Sequence, residues 1–119
     1  MTFKNQTIVV TGAAGNLGRA VVAAFHAASA RVVLVDAKLE FLDNSFPGDD
    51  PKLVKVAVDL LDRGATAAAM KDIHGKCGEI NALAALAGGF HMGETVHDTP
   101  DEKWDLMHDL NARTLLHTT

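Results

Sequence analysis

The sequence contains no tyrosine and a single cysteine, Cys77. One cysteine excludes a disulfide within the chain, and the opening residues MTFKN lack the apolar core of a signal peptide, so we expect a cytoplasmic protein. No apolar run approaches the ~20 residues that span a bilayer, which excludes a membrane-spanning helix. The basic residues are unclustered and the formal net charge is −4, which argues against charge-driven binding to nucleic acids or anionic membranes. The missing tyrosine removes one acid–base group from any reaction of this chain.

What the sequence does contain is typical of a globular domain. Its 119 residues are 48% hydrophobic and 22% charged. A chain of this length can bury about two thirds of the surface that it exposes when unfolded, so it can form a core without a metal or a disulfide. We expect one domain over residues 1–119, with no internal repeat.

Short apolar runs alternate with helical patterns along the chain. The sequence predicts strands over residues 6–11, 31–36, 53–58 and 81–87, with connections too long for hairpins. Such connections are right-handed crossovers, which place the strands parallel in one sheet. The first helix is predicted to pack on the sheet through residues that recur at helical spacing, namely Leu17, Val21, Ala24, Phe25 and Ala28.

Turn and capping residues mark the remaining segments. The polar, proline-containing residues 43–52 predict a loop, and Asp62 is the predicted N-cap of a helix after the third strand. Thr99, Pro100 and Glu102 match a capping box with proline at the first helical position, and they predict a helix to about residue 116. Apolar residues in and before this helix are interpreted as core or interface: Met92, Trp104, Met107 and Leu110.

A glycine-rich loop lies between the first predicted strand and helix, with the sequence TGAAGNLG over residues 11–18. A pyrophosphate at a helix N-terminus needs bare backbone N–H groups, and glycines let the backbone come close, although a plain tight turn stays open as an alternative. Asp36 ends the second strand, where a carboxylate can accept both ribose hydroxyls of an adenosine. Because it would repel a 2′-phosphate, the sequence favours NAD over NADP, while Lys38 keeps NADP possible.

These features, with Asp59-Leu60, Ala87-Gly88-Gly89 and Asn111 in the same order, resemble the short-chain dehydrogenase/reductase family along essentially the whole chain. The loop has the spacing of the family's extended members, and Ala85-Leu86 stands where the family usually has two asparagines. The resemblance implies an α/β fold, a Rossmann-like doubly wound parallel sheet of four strands in the order 3-2-1-4 with about four helices, lacking the family's later strands. The cofactor contacts that it implies are Gly12, Gly15, Asn16, Leu17, Gly18, Asp36, Asp59, Leu60, Ala87 and Gly88.

The same resemblance bears on catalysis. It assigns to Asn111 the role of the family's asparagine, which helps to hold a proton-relay water. The family's serine and Tyr-x-x-x-Lys pair follow a fifth strand, and this sequence stops before any such strand. We therefore expect an NAD(H)-binding module that is not catalytic alone. His91 or His97 as a surrogate acid, or both as metal ligands, are weak alternatives, and we expect no metal site.

Three other interpretations stay open at this stage. The chain could be a fragment or a complementing half of an active NAD-dependent oxidoreductase, or a non-catalytic interaction protein that uses the open edge of its fourth strand. An S-adenosylmethionine-dependent methyltransferase ranks last, because its usual Gly-x-Gly-x-Gly loop is absent. We expect a homo-oligomer or a partner chain, through the final helix or the open sheet edge. The sequence does not indicate a substrate.

Overall fold

Four parallel strands form one sheet in the order β3-β2-β1-β4. The computed structural model describes residues 2–89, 93 and 95–119. The strands are β1 Thr7–Thr11, β2 Arg31–Asp36, β3 Leu53–Ala57 and β4 Ala82–Ala85. Each strand begins and ends within two residues of its predicted position, and the predicted strand order is confirmed.

Helices follow the strands and cover both faces of the sheet. They are α1 Asn16–Ala27, α2 Leu39–Ser45, α3 Arg63–Cys77 and α4 Asp101–His108, after which a π-helical turn, Asp109–Arg113, leads into the short α5 Thr114–Thr118. A short 3₁₀ turn, Val96–Asp98, precedes α4. The doubly wound α/β fold is confirmed. No helix in the described part of the chain is long and apolar enough to cross a membrane.

The core has two layers because alternate residues of a strand point to opposite faces of the sheet. On one face, Ile8 of β1 and Leu34 of β2 pack with Val22 of α1 and Leu42 of α2. On the other face, a second buried cluster joins the same two strands to Ile73 of α3. The central strands β1 and β2 are therefore buried on both sides, which explains their nearly continuous apolar sequence.

The predicted inner face of α1 is only partly correct. Gly18 and Val22 are the buried residues of this helix, whereas Leu17 is 63% exposed and Ala24 also faces solvent. Val21, Phe25 and Ala28 are half-buried, as expected. The hydrophobic pattern missed Gly18 because a residue without a side chain carries no apolar signal, yet its small size lets the helix lie directly against Gly12 and Ala13.

Helix α4 begins differently from its prediction. Pro100 is the N-cap and not the first helical residue, and no side chain caps the helix. The hydroxyl of Thr99 donates to the Thr95 carbonyl at 3.0 Å, so it belongs to the 3₁₀ turn before α4 and the capping box with Glu102 does not form.

Two further expectations need correction, and one is confirmed. Trp104 is 60% exposed and packs edge-on against His108 of its own helix, so it is not a core residue, and its alternative role at an interface stays a prediction. The loop predicted over residues 43–52 begins three residues later than expected, because α2 extends to Ser45. The side chain of Asp62 accepts from the Ala65 N–H at 3.0 Å, which confirms it as the N-cap of α3. Met92 lies outside the described residues.

Candidate nucleotide site

The carboxyl ends of the four strands border one cleft of about 150 Å³. In an open parallel sheet, ligands bind in such a crevice, at the point where the strand order reverses. Here that point lies between β1, the first strand, and its neighbour β4. The predicted contact residues that line the cleft are Gly12, Asp36, Asp59, Leu60, Ala87 and Gly88.

The glycine loop is packed so closely that larger residues do not fit. Gly12 has φ +68°, and a Cβ atom there would lie 2.9 Å from the Leu86 carbonyl oxygen. A Cβ atom on Gly18 would collide with the Gly12 carbonyl and lie 2.8 Å from the Ala13 Cα atom. These two glycines thus let α1 and the end of β4 meet the loop, which brings bare backbone to the cleft.

The N-terminus of α1 is open to an anion. Gly15 is its N-cap, no side chain caps the helix, and its first turn carries no acidic residue. Gly15, Asn16 and Leu17 are exposed and do not line the cleft itself, although Gly15 borders a neighbouring depression that shares Asp36 with it. The amide oxygen of Asn16 accepts from Arg19 at 2.6 Å. The uncapped N–H groups fit a phosphate, which such helix ends bind readily.

Asp36 connects the end of β2 to the glycine loop. Its Oδ2 atom accepts from the Ala14 N–H at 3.0 Å and its Oδ1 atom from the Ala37 N–H at 2.8 Å. The side chain is half-buried at the border of the cleft. Because a carboxylate oxygen has two lone pairs, each oxygen can still accept a hydrogen bond from a ligand hydroxyl.

The segment after β3 forms another wall. Asp59 is exposed, and its Oδ1 atom accepts from the Leu61 N–H at 3.0 Å, which makes a tight turn. Leu60 is 8% exposed and Val58 is 9% exposed, so this wall is apolar. His117 Nδ1 lies 2.6 Å from the Leu60 carbonyl oxygen. The sequence reasoning missed this contact, because nothing in a sequence pairs residues 57 positions apart.

The end of β4 is held against β1 by one side chain. The Thr11 hydroxyl accepts from the N–H groups of Leu86 and Ala87, at 3.1 and 3.2 Å. Thr11 is 1% exposed, so this bond pair is shielded from water. It places Ala87 directly beside Gly12, and both line the cleft together with Gly88.

Asn111 lies in the π-helical turn and binds the segment that follows β4. Its Nδ2 atom donates to the carbonyls of Gly89 and Met107, at 2.9 and 2.8 Å, and its Oδ1 atom accepts from the Gly89 N–H at 3.1 Å. A Cβ atom on Gly88 would collide with that oxygen. Both amide hydrogens are used, so only Oδ1 could bind a water. π-Helical turns are frequent at functional sites.

The other candidate groups lie away from the cleft or outside the described residues. His97 is largely exposed and lies 3.5 Å from Asp98 in the 3₁₀ turn, while His91 lies outside the described residues. Among the described residues there is no group of three or more His, Cys, Asp or Glu side chains that could hold a metal ion. Leu110, predicted as a core or interface residue, lines the cleft, and so does Thr114, which carried no recognisable sequence signal.

Known proteins share this sequence pattern. Dehydrogenase/reductase SDR family member 7B of Bos taurus is 36% identical over 107 residues, which cover 82% of this chain and 33% of that protein. Meso-2,3-butanediol dehydrogenase of Serratia marcescens is 33% identical, and the match covers 87% of this chain and 41% of that protein. NAD-dependent glycerol dehydrogenase of Listeria innocua is 30% identical, with 95% of this chain covering 48% of it. The chain thus spans a third to a half of the length of these relatives.

Solved structures share the fold. The crystal structure of 3-ketoacyl-(acyl-carrier-protein) reductase from Brucella melitensis, complexed with NADH, superposes with a TM-score of 0.91 at 21% identity, over 98% of this chain and 48% of that one. A family model described as short chain dehydrogenase matches residues 6–119. Since that match takes in nearly all of the sequence and the fold agrees with it, the chain belongs to the short chain dehydrogenase family.

Proposed function

We propose that this chain is the NAD(H)-binding part of a short-chain dehydrogenase/reductase-type oxidoreductase. The observation that carries the proposal is the Asp36 carboxylate, fixed by the Ala14 N–H at the border of a cleft whose adjacent wall is apolar. The carboxylate would accept the adenosine ribose hydroxyls, and the base would lie against Val58 and Leu60. The uncapped N-terminus of α1 would hold the pyrophosphate. When bound, the nicotinamide supplies or accepts the hydride.

The charge at the ribose favours NAD over NADP. A 2′-phosphate would lie beside the Asp36 carboxylate, and two neighbouring negative charges repel each other. Lys38 is the cation that could offset this repulsion, but its ammonium lies over the Phe41 ring, 5.6 Å from the centroid. A cation–π contact of this kind stabilises the present position of Lys38.

A substrate-converting step requires groups that these 119 residues do not supply. The sequence contains no tyrosine, and the side chain of Asn111 is committed to backbone atoms. We expect the chain alone to show no carbonyl reduction, measured as substrate-dependent NADH oxidation. Turnover by the pure protein would contradict this. Two relatives are a butanediol dehydrogenase and a glycerol dehydrogenase, which favours hydride transfer to or from a small alcohol carbon for the complete enzyme.

The cofactor proposal is tested by calorimetric titration with NAD, NADP and S-adenosylmethionine. Wild-type protein should bind NAD most tightly, and Asp36→Ala should weaken NAD by about 10- to 100-fold, since charge-assisted hydrogen bonds contribute about 1.5–3 kcal/mol. The same variant should lose less affinity for NADP, because removing the Asp36 carboxylate also removes its repulsion of the 2′-phosphate. Asp72→Ala is the matched control, an exposed acid on α3 that pairs with Lys76. Preference for S-adenosylmethionine, or no nucleotide binding by wild-type protein, would refute the proposal.

A second proposal concerns association. In the described part of the sheet β4 pairs only with β1, so its outer edge presents backbone donors and acceptors to solvent. Unpaired parallel edges recruit other strands. We propose that β4, or the helical segment α4–α5 with its exposed Leu115 and Leu116, contacts a second chain. Light scattering at increasing concentration tests this, and a strictly monomeric mass would count against it.

A further inference from the structure

The carbonyl of Leu60 is bound from the last helix of the chain. His117 Nδ1 lies 2.6 Å from the Leu60 oxygen, in a half-buried contact between α5 and the turn after β3. A carbonyl oxygen only accepts hydrogen bonds, so Nδ1 must carry the hydrogen and donate it. The turn is therefore fastened to a helix that the sequence places 57 residues away.

Two other bonds tie this segment to neighbouring elements: the Val58 N–H donates to the Asp36 carbonyl at 3.0 Å, and the Thr66 hydroxyl of α3 donates to the Asp59 carbonyl at 3.5 Å. Neither of them reaches Leu60. Asp59 Oδ1 accepts from the Leu61 N–H, and the Asp59 carbonyl accepts from the Asp62 N–H, both at 3.0 Å, so these two bonds lie within the turn itself. Helix α3 begins at Arg63, too late for its backbone ladder to use the Leu60 carbonyl. Among the described residues, His117 is the donor that satisfies this carbonyl.

The same turn forms the apolar wall of the cleft. Leu60 is 8% exposed and Val58 is 9% exposed, and both line the cleft next to Asp36. Thr114, three residues before His117 and 5% exposed, lines it from α5. A shift of the Leu60 turn would thus move the surface on which an adenine ring would rest, while Asp36 and the glycine loop would stay in place.

We infer that His117 is a positioning residue for the adenosine end of the nucleotide: its Nδ1–H fixes the Leu60 turn and so fixes the wall against which the base packs. This inference rests on the proposed NAD(H)-binding function. It concerns a residue that would not touch the cofactor, and it assigns a cofactor-related role to α5, which carries no recognised binding motif.

The test is calorimetry with AMP and NAD on the full chain. His117→Ala should weaken both ligands by about 3- to 10-fold, the range expected for one lost hydrogen bond. His117→Asn, whose side-chain N–H can take the place of Nδ1–H, should restore affinity to within about 2-fold of wild type. Thr118→Ala is the matched control, because its hydroxyl bonds only within α5, to Thr114 and Leu115 carbonyls. Circular dichroism should show that His117→Ala is folded at the titration temperature, because partial unfolding would also lower the apparent affinity.

A spectroscopic measurement checks the bond in the free protein. In alkaline buffer, the ¹⁵N signals of His117 should identify the Nδ1–H tautomer, because the hydrogen bond made by one ring nitrogen sets the proton position. The Nε2–H tautomer, or equal affinity of His117→Ala and wild type, would overturn the inference and leave the proposed function intact. So would a loss in His117→Ala that His117→Asn fails to restore. Absence of nucleotide binding by wild type would overturn the proposed function and this inference with it.

Discussion

Replacing Thr11 by valine removes a hydroxyl and nearly preserves the shape of the side chain. That hydroxyl accepts from two backbone N–H groups, those of Leu86 and Ala87, at the point where β4 leaves the sheet. Thr11 is 1% exposed, so water cannot reach the donors from its side. Thr11→Val therefore leaves two N–H groups facing a methyl group, while the packing of β1 is otherwise kept.

The size of the effect follows from the number of bonds. A buried donor left without a partner costs about 1–3 kcal/mol, and the half-buried surroundings of Leu86 and Ala87 favour the lower limit for each. We expect Thr11→Val to lower the free energy of unfolding by about 2–3 kcal/mol. For a domain of this size, this corresponds to a decrease in Tm of about 6–12 °C.

Urea unfolding at fixed temperature measures the loss, and Thr11→Ser is the matched control. Serine keeps the acceptor and loses one buried methyl group, worth about 1 kcal/mol. The valine variant should also bind NAD more weakly, because Leu86 and Ala87 lose the bonds that hold the end of β4 at the cleft. If valine destabilises the protein no more than serine does, the two hydrogen bonds are not what holds the end of β4.

Two other predictions concern sites away from the cleft. Ser29 has φ +70° at the end of α1, where its N–H donates to the His26 carbonyl. Ser29→Gly should raise the free energy of unfolding by about 0.5–1 kcal/mol, because the relief of left-handed backbone strain exceeds the cost of the added entropy of the unfolded chain. Thermal unfolding checks this, with a smaller gain from Asn5→Gly (φ +66°), since asparagine tolerates this region; a lower Tm for Ser29→Gly would refute it. The hydrogen bond from the Lys52 N–H, and after it the contact with His26, lowers the pKa of Asp50 below its ordinary value of 3.8. The ionised Asp50 side chain therefore stabilises the folded protein at higher pH, and this stabilisation is lost as the pH falls through the lowered pKa. The wild type should therefore have a higher Tm than Asp50→Asn at about pH 5, and this difference should disappear as the pH falls below 3.8. A difference that does not change with pH would contradict this.

The apolar pattern predicted the strands well, since β1 and β2 are apolar on both faces and a buried parallel strand leaves this signal in consecutive residues. The strand order came from the family resemblance and not from this pattern. Asp62 was also recognisable, because an N-cap acts within three residues of itself. Local interactions of this kind are visible in a sequence.

The incorrect predictions arose where distant contacts or missing side chains decide the outcome. Thr99 matched a capping pattern, yet its hydroxyl is taken by Thr95 in the preceding turn. Leu17 matched a helical face, yet the first turn of α1 meets the loop through Gly18, which lies against Gly12, and Leu17 is left exposed. In both cases a local pattern competed with a neighbouring interaction that leaves no hydrophobic signal.

The walls of the cleft are fixed mainly by bonds between segments far apart in sequence. Thr11 holds the end of β4, Asp36 holds the glycine loop, and His117 holds the turn after β3. Each bond ties a backbone atom of one wall to a side chain from a different element. Substitutions at these residues should therefore change nucleotide affinity through the position of a wall, and isosteric changes that keep the donor or acceptor should be tolerated. For Asp36 the two contributions are separable: Asp36→Asn keeps an acceptor for the Ala14 N–H but removes the charge, so it should retain more NAD affinity than Asp36→Ala.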